Sequence, residues 1–118
     1  MITVLEPDQV FVFGSNTQGR HGKGAAKQAL QFGAEYSKAH GWQGQTYAIV
    51  TKELRKTMPP VTLKAIHTQL ELLAEVAECN PQNEFLLTPV GTGLGGFTLR
   101  QLEDILPDFP DNVTLTWR

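Results

Sequence analysis

The spacing of apolar residues changes period several times along the chain. Val10, Phe11, Val12 and Phe13 are continuously apolar, the signature of a strand covered on both faces, and Gln9–Phe13 is read as the first strand after a lead-in that turns at Pro7-Asp8. From Lys23 to about Ala39 the sequence predicts a helix, with Ala25, Ala26, Ala29, Leu30 and Phe32 on its buried side and Gly33 as a bend or close-packing point. Gly41-Trp42-Gln43-Gly44 reads as a turn. In Thr46–Val50, Tyr47 and Ile49 alternate with Ala48 and Val50, which predicts a second strand. A polar loop then runs from Thr51 to Pro60.

Leu63, Ile66, Leu70, Leu73 and Ala77 recur three or four residues apart and predict an amphipathic helix, with Thr62 as its N-cap and Asn80-Pro81 as its stop. Glu84–Thr88 predicts a third strand. Thr98 is placed to cap a helix through about Leu106 that turns Leu99, Leu102, Ile105 and Leu106 inward, before Pro107 and Pro110 end it. Val113, Leu115 and Trp117 alternate with Thr114 and Thr116 in a final strand. Strand and helix therefore alternate three times before a last strand. That order predicts an α/β fold, a three-layer α/β/α sandwich around a mostly parallel, mixed sheet, as one domain over residues 1–118. Ligands of such sheets bind outside the carboxyl ends of the strands.

Composition changes this picture little. At 118 residues with 41% hydrophobic and 19% charged residues, the chain is an ordinary globular domain with a core of its own. Its apolar runs are too short to span a bilayer, and Met1–Glu6 has no basic region ahead of an apolar run, so no signal peptide is expected. One cysteine, Cys79, excludes an internal disulfide and a cysteine-rich metal site and fits a reducing cytoplasm. The net charge of −2 is unevenly spread: residues 20–64 carry eight basic against two acidic side chains, a local +6. That excess is either a solvated face or a means of concentrating an anion. Nucleic acid is a poor fit, because no dense Arg/Lys helix is present and aromatic residues do not interleave with the basic ones.

Two glycine-rich stretches follow predicted strands and precede predicted helices. The first is Phe13-Gly14-Ser15-Asn16 through Gly22-Lys23-Gly24-Ala25-Ala26; the second is Val90-Gly91-Thr92-Gly93-Leu94-Gly95-Gly96-Phe97 after Thr88. Such loops leave backbone N–H groups unpaired at the positive end of a helix, an arrangement suited to phosphate. Neither is a Walker A loop, and the spacing of Gly19, Gly22 and Gly24 is not that of a dinucleotide fingerprint. Two loops on one rim point to a ligand with more than one phosphate. Asn16 offers a donor and an acceptor to vicinal hydroxyls, or serves as a turn residue. His21 is either an acid–base group or a solvated loop histidine. Lys23, Lys27 and Lys52 are surface charges, any of which can approach a phosphate. His40 and His67 lie away from the loops.

These two stretches resemble the ligand loops of macrodomains, most closely the short phage or bacterial type. In that family an asparagine follows the first strand, a glycine-rich turn leads into a helix of small residues, and a second loop of glycines and a hydroxyl residue precedes an aromatic. Ala48-Ile49-Val50-Thr51-Lys52 falls where macrodomains have a strand ending near the ligand. The resemblance implies binding of ADP-ribose or a related NAD-derived nucleotide, with weak ADP-ribosyl hydrolysis as a further activity, and with no cofactor or metal. It implies that Asn16 meets the distal ribose, that Gly22 and Gly24 admit the sugar and diphosphate, and that Gly91, Thr92, Gly93, Leu94, Gly95, Gly96 and Phe97 wrap the diphosphate, with Phe97 near the distal ribose; Gly14, Ser15, Thr88 and Val90 complete the ligand-binding set. The pattern departs from hydrolytic members in lacking an acid: none lies between Gly14 and Gln28 or between Thr88 and Leu102. His21, with Asn16, is then the sole catalytic candidate. Two other readings remain open. A nucleotide phosphoribohydrolase of the lysine-decarboxylase-like type is suggested by Val12-Phe13-Gly14-Ser15 and by Gly93–Thr98 followed by Glu103; a non-enzymatic interaction protein would need its glycines only for turns.

Overall fold

The structure, a computed structural model, describes residues 4–118; Met1–Thr3, the start of the expected lead-in, lie outside the described residues. Among the described residues five strands and three α-helices follow in order: β1 Gln9–Asn16, α1 Gly24–Ala29, β2 Gly41–Gln43, β3 Thr46–Lys52, α2 Leu63–Cys79, β4 Glu84–Leu87, α3 Leu99–Asp104 and β5 Val113–Leu115. The strands form one five-stranded sheet in the order β2-β3-β1-β4-β5. β1 runs parallel to β3 and β4, β5 is parallel to β4, and β2 is an antiparallel edge on β3.

The unbroken apolar run of β1 is explained by its central place, with a core on each face. Val10 and Val12 join Tyr47, Ile49, Phe85 and Leu87 beneath Ile66, Leu70, Leu73 and Ala77 of α2 and Leu102 of α3. Phe11, Phe13 and Ala48 point the other way, toward Ala26 and Ala29 of α1 and toward Ala34. Two cores on opposite faces make a three-layer α/β/α domain. Burying each Phe or Leu contributes about 1.5–3 kcal/mol, so β1 anchors both halves. The alanines of α1 let that short helix lie close to the sheet. Both predicted threonine caps are present: Thr62 Oγ1 accepts from Ala65 N–H at 3.1 Å, and Thr98 forms a reciprocal capping box with Gln101.

Several elements differ from expectation. β1 continues through Gly14, Ser15 and Asn16, which pair with Ile49, Val50 and Lys52 of β3. The register shifts after Ser15 and skips Thr51; such bulges re-aim side chains, and here Thr51 Oγ1 donates to Ser15 O at 3.2 Å. The helix expected to reach Ala39 stops at Ala29 and tightens into a 3₁₀ turn over Leu30–Phe32. Gly33 ends it with φ 105°, and a Cβ there would lie 2.9 Å from Gly44 Cα, so the chain needs glycine at this crossing of two backbones. The expected turn at 41–44 contains β2. The last strand stops at Leu115, leaving Trp117 outside it, and Leu99 is exposed rather than inward. Among the described residues no helix is long and apolar enough to cross a membrane.

Candidate functional site

A cavity of about 880 Å³ opens at the carboxyl ends of β1, β3 and β4. Gly14, Ser15 and Asn16 line it from β1, and Gly22 and Gly24 from the first glycine loop. Thr88, Val90, Gly91, Thr92, Gly93, Leu94 and Gly95 line it from the second. The two loops thus meet on one rim. His21, Gly96 and Phe97 are not among the lining residues. Phe97 packs against the α2-side core instead, and its N–H donates to Gly91 O at 2.9 Å, closing the second loop on itself.

Asn16 is spent on shaping the first loop. Its Oδ1 accepts from Gln18 N–H at 3.2 Å and Arg20 N–H at 2.9 Å, and its Nδ2 donates to Arg20 O at 2.9 Å. The side chain expected to meet a sugar therefore keeps one amide N–H for anything in the cavity. The helix that follows is only six residues long, so its dipole contributes little; the loop N–H groups are the stronger feature.

The second loop presents those groups most clearly. Among the described residues, the N–H groups of Gly91, Gly93, Leu94 and Gly95 donate to no protein acceptor. Gly91 has φ 81°, and a Cβ on Gly95 would lie 2.7 Å from Gly91 O, so the turn closes only with glycine at both places. Gly93 has open space around its Cβ position and no such φ requirement. Thr88 Oγ1 donates to Val12 O at 2.6 Å and Thr92 Oγ1 to Pro89 O at 2.7 Å. These hydroxyls hold the loop rather than face the cavity with a free proton.

His21 is wholly buried. Its ring stands edge-on to Phe13, with centroids 5.2 Å apart, and faces Tyr36 at 6.3 Å. Nε2 is 3.2 Å from Ser15 Oγ, while Nδ1 is buried without a partner. Burial pushes the imidazole pKa below its ordinary value. A ring so enclosed does not reach water in the cavity, which removes the geometry that a general base at His21 requires.

The rim is basic. Arg20, Lys23 and Lys52 line the cavity, and among the described residues no carboxylate does. Lys52 Nζ donates to Leu94 O at 3.0 Å, joining the end of β3 to the second loop. Glu53, the nearest acid in sequence, is held elsewhere. Arg55 donates to it from Nη2 at 2.8 Å and from its backbone N–H at 3.0 Å, and Thr17 Oγ1 donates to it as well. The Arg55 side chain foremost, then its N–H and the Thr17 hydroxyl, bring the Glu53 pKa down to about 2. Glu103, the acid of the phosphoribohydrolase reading, pairs with Arg118 at 2.6 Å and lies outside the cavity.

Sequence reasoning missed Arg20, Thr51, Tyr36 and Leu54 as lining residues. Thr51 faces the site because of the bulge. Tyr36 is brought over it by Gln43, a buried residue of β2 whose Oε1 accepts from Glu35 N–H at 2.8 Å and whose Nε2 donates to Lys38 O at 3.0 Å. A buried glutamine satisfied this way is a strut, and its sequence context, a predicted turn, gave no sign of it.

No family model matches the chain, and no curated protein matches it in sequence. Among solved structures it is similar to one described as a protein of unknown function from Bacteroides thetaiotaomicron, with 17% identity over 86% of this chain and 80% of the other and a TM-score of 0.62. At that identity the likeness is one of fold.

Proposed function

We propose that the protein binds ADP-ribose or a related NAD-derived nucleotide, with the diphosphate lying between the two glycine loops. The observation that carries this reading is the convergence on one cavity of unpaired loop N–H groups and three cationic side chains, with no lining carboxylate among the described residues. Hydrogen bonds from neutral N–H groups to a charged oxygen contribute about 1.5–3 kcal/mol each. The volume lies within the range of about 300–1,000 Å³ usual for small-molecule sites. The exposed ring of Tyr36 and the Leu54 side chain supply an apolar wall for a base or sugar. The macrodomain resemblance of both loops leads to the same ligand.

Binding is the primary activity in this reading, and turnover is slow or absent. Backbone N–H groups can stabilise a leaving phosphate, but neither they nor the buried His21 can take a proton from water. No observation favours the phosphoribohydrolase reading, since Glu103 is outside the cavity. The lone cysteine leads us to place the protein in the cytoplasm.

Calorimetric titration with ADP-ribose, ADP and pyrophosphate tests the proposal. The best substitution for it is Gly93→Asp, with Gly93→Ala as control, because Gly93 has room for a side chain whereas Gly95 does not. ADP-ribose should bind the wild type and Gly93→Ala alike and bind Gly93→Asp at least tenfold more weakly. Absence of binding by all three ligands to the wild type overturns the reading.

A further inference from the structure

We propose that His21 is a positioning residue: its Nε2–H donates to Ser15 Oγ and so aims the Ser15 hydroxyl proton into the cavity, toward a phosphate oxygen of the ligand. The inference rests on the nucleotide-binding reading and assigns one of its contacts. It starts from an accounting of hydrogens. Nδ1 of His21 is buried with no partner. A proton there would leave a buried N–H donor without an acceptor, an uncommon state for a buried polar side chain. Placing the proton on Nε2 gives it an acceptor, Ser15 Oγ at 3.2 Å. An imidazolium would strand Nδ1–H as well: the aromatic rings packed against His21 are those of Phe13 and Tyr36, and among the described residues no carboxylate pairs with it.

Once Ser15 Oγ accepts from His21, its own proton must go elsewhere. The protein acceptor within reach is Asn16 O at 3.5 Å, a long and weak contact. Ser15 lines the cavity, where an anionic oxygen is the better acceptor. The cavity's threonines do not compete: Thr51, Thr88 and Thr92 hydroxyls donate to backbone carbonyls. The same proton placement rules out Ser15 as a nucleophile activated by His21, because a protonated Nε2 has no lone pair with which to take the serine proton.

Two measurements test the pair. Nitrogen-15 NMR of His21 in the ligand-free protein at pH 7 should show the Nε2–H tautomer; the Nδ1–H tautomer overturns the inference. Titrations with pyrophosphate and ADP-ribose should show about tenfold weaker binding for Ser15→Ala, a similar loss for His21→Phe, and no further loss in the double variant. His21→Gln, which keeps an N–H donor near the Nε2 position, should recover most of the affinity; a merely structural histidine would not be rescued in this way while His21→Phe remains folded. If the wild type binds both probes and Ser15→Ala binds equally well, the nucleotide reading stands and this inference falls. If the wild type binds neither, both fall.

Discussion

Lys52 Nζ and the carbonyl oxygen of Leu94 are 3.0 Å apart, and this hydrogen bond spans from the end of β3 to the second glycine loop. It is the side-chain link that holds the loop toward the basic rim, and it also parks a cation beside the unpaired N–H groups of Gly93, Leu94 and Gly95. Lys52→Met keeps most of the stem and removes the donor. It should speed hydrogen exchange at Gly96 and Phe97, whose N–H groups donate to Gly93 O and Gly91 O, and weaken ADP-ribose binding about tenfold, about 1.4 kcal/mol. Exchange unchanged in that segment would show that the loop is held without Lys52.

Gly91→Ala tests the loop's backbone. With φ 81° and Phe97 Cδ2 3.3 Å from the new Cβ, alanine should cost about 1–3 kcal/mol in urea unfolding. Gly93→Ala, in open space, should change stability by less than about 1 kcal/mol. Equal costs at the two positions would contradict the loop geometry.

Burial of His21 makes a pH prediction. Its folded pKa is depressed below 6.5, so the unfolded chain binds a proton that the folded one resists. Stability from this group is complete above about pH 6.5, falls as pH drops below it, and levels off beneath the folded pKa, with a slope of at most about 1.4 kcal/mol per pH unit. Between pH 7.5 and 5.5 the wild type should lose more stability in urea than His21→Phe. Equal losses would place His21 in contact with solvent.

Gln43→Leu removes both bonds that hold the 35–38 segment and leaves the Glu35 N–H and the Lys38 C=O to find other partners. A loss of about 1–3 kcal/mol is expected, with broadened Tyr36 resonances. A sharp, unshifted Tyr36 would show that the segment is fixed by other contacts.

The parts legible in the sequence are those where one residue type has one use. The run Val10–Phe13 needs two covered faces, and the spacing of Ile66, Leu70, Leu73 and Ala77 needs a helix on a sheet. Thr62 and Thr98 are caps because their hydroxyls sit three residues before an unpaired N–H. Gly14, Ser15 and Asn16 were less legible. Their composition is that of a turn, yet pairing with β3 holds them extended, since tertiary partners override local preference. The end of α1 depends on Gly33 meeting Gly44, a contact between distant residues that no local pattern encodes. The same is true of His21, whose polar neighbours in sequence suggest solvent while Phe13 and Tyr36 enclose it. Both glycine loops could be read as candidates for the rim, but the contributions of Thr51, Tyr36 and Arg20 depend on a bulge, a buried glutamine strut and an asparagine-shaped loop.

The central claim is that both glycine loops bind one anionic ligand together. Titrating ADP-ribose into nitrogen-15-labelled protein and following backbone amide shifts tests it most directly. The amides of Gly22–Ala25 and of Gly91–Gly95 should move along single saturation curves with one shared Kd, and pyrophosphate should reproduce the shifts of Gly93–Gly95. Shifts confined to one loop, or two loops saturating with different constants, would contradict a single site.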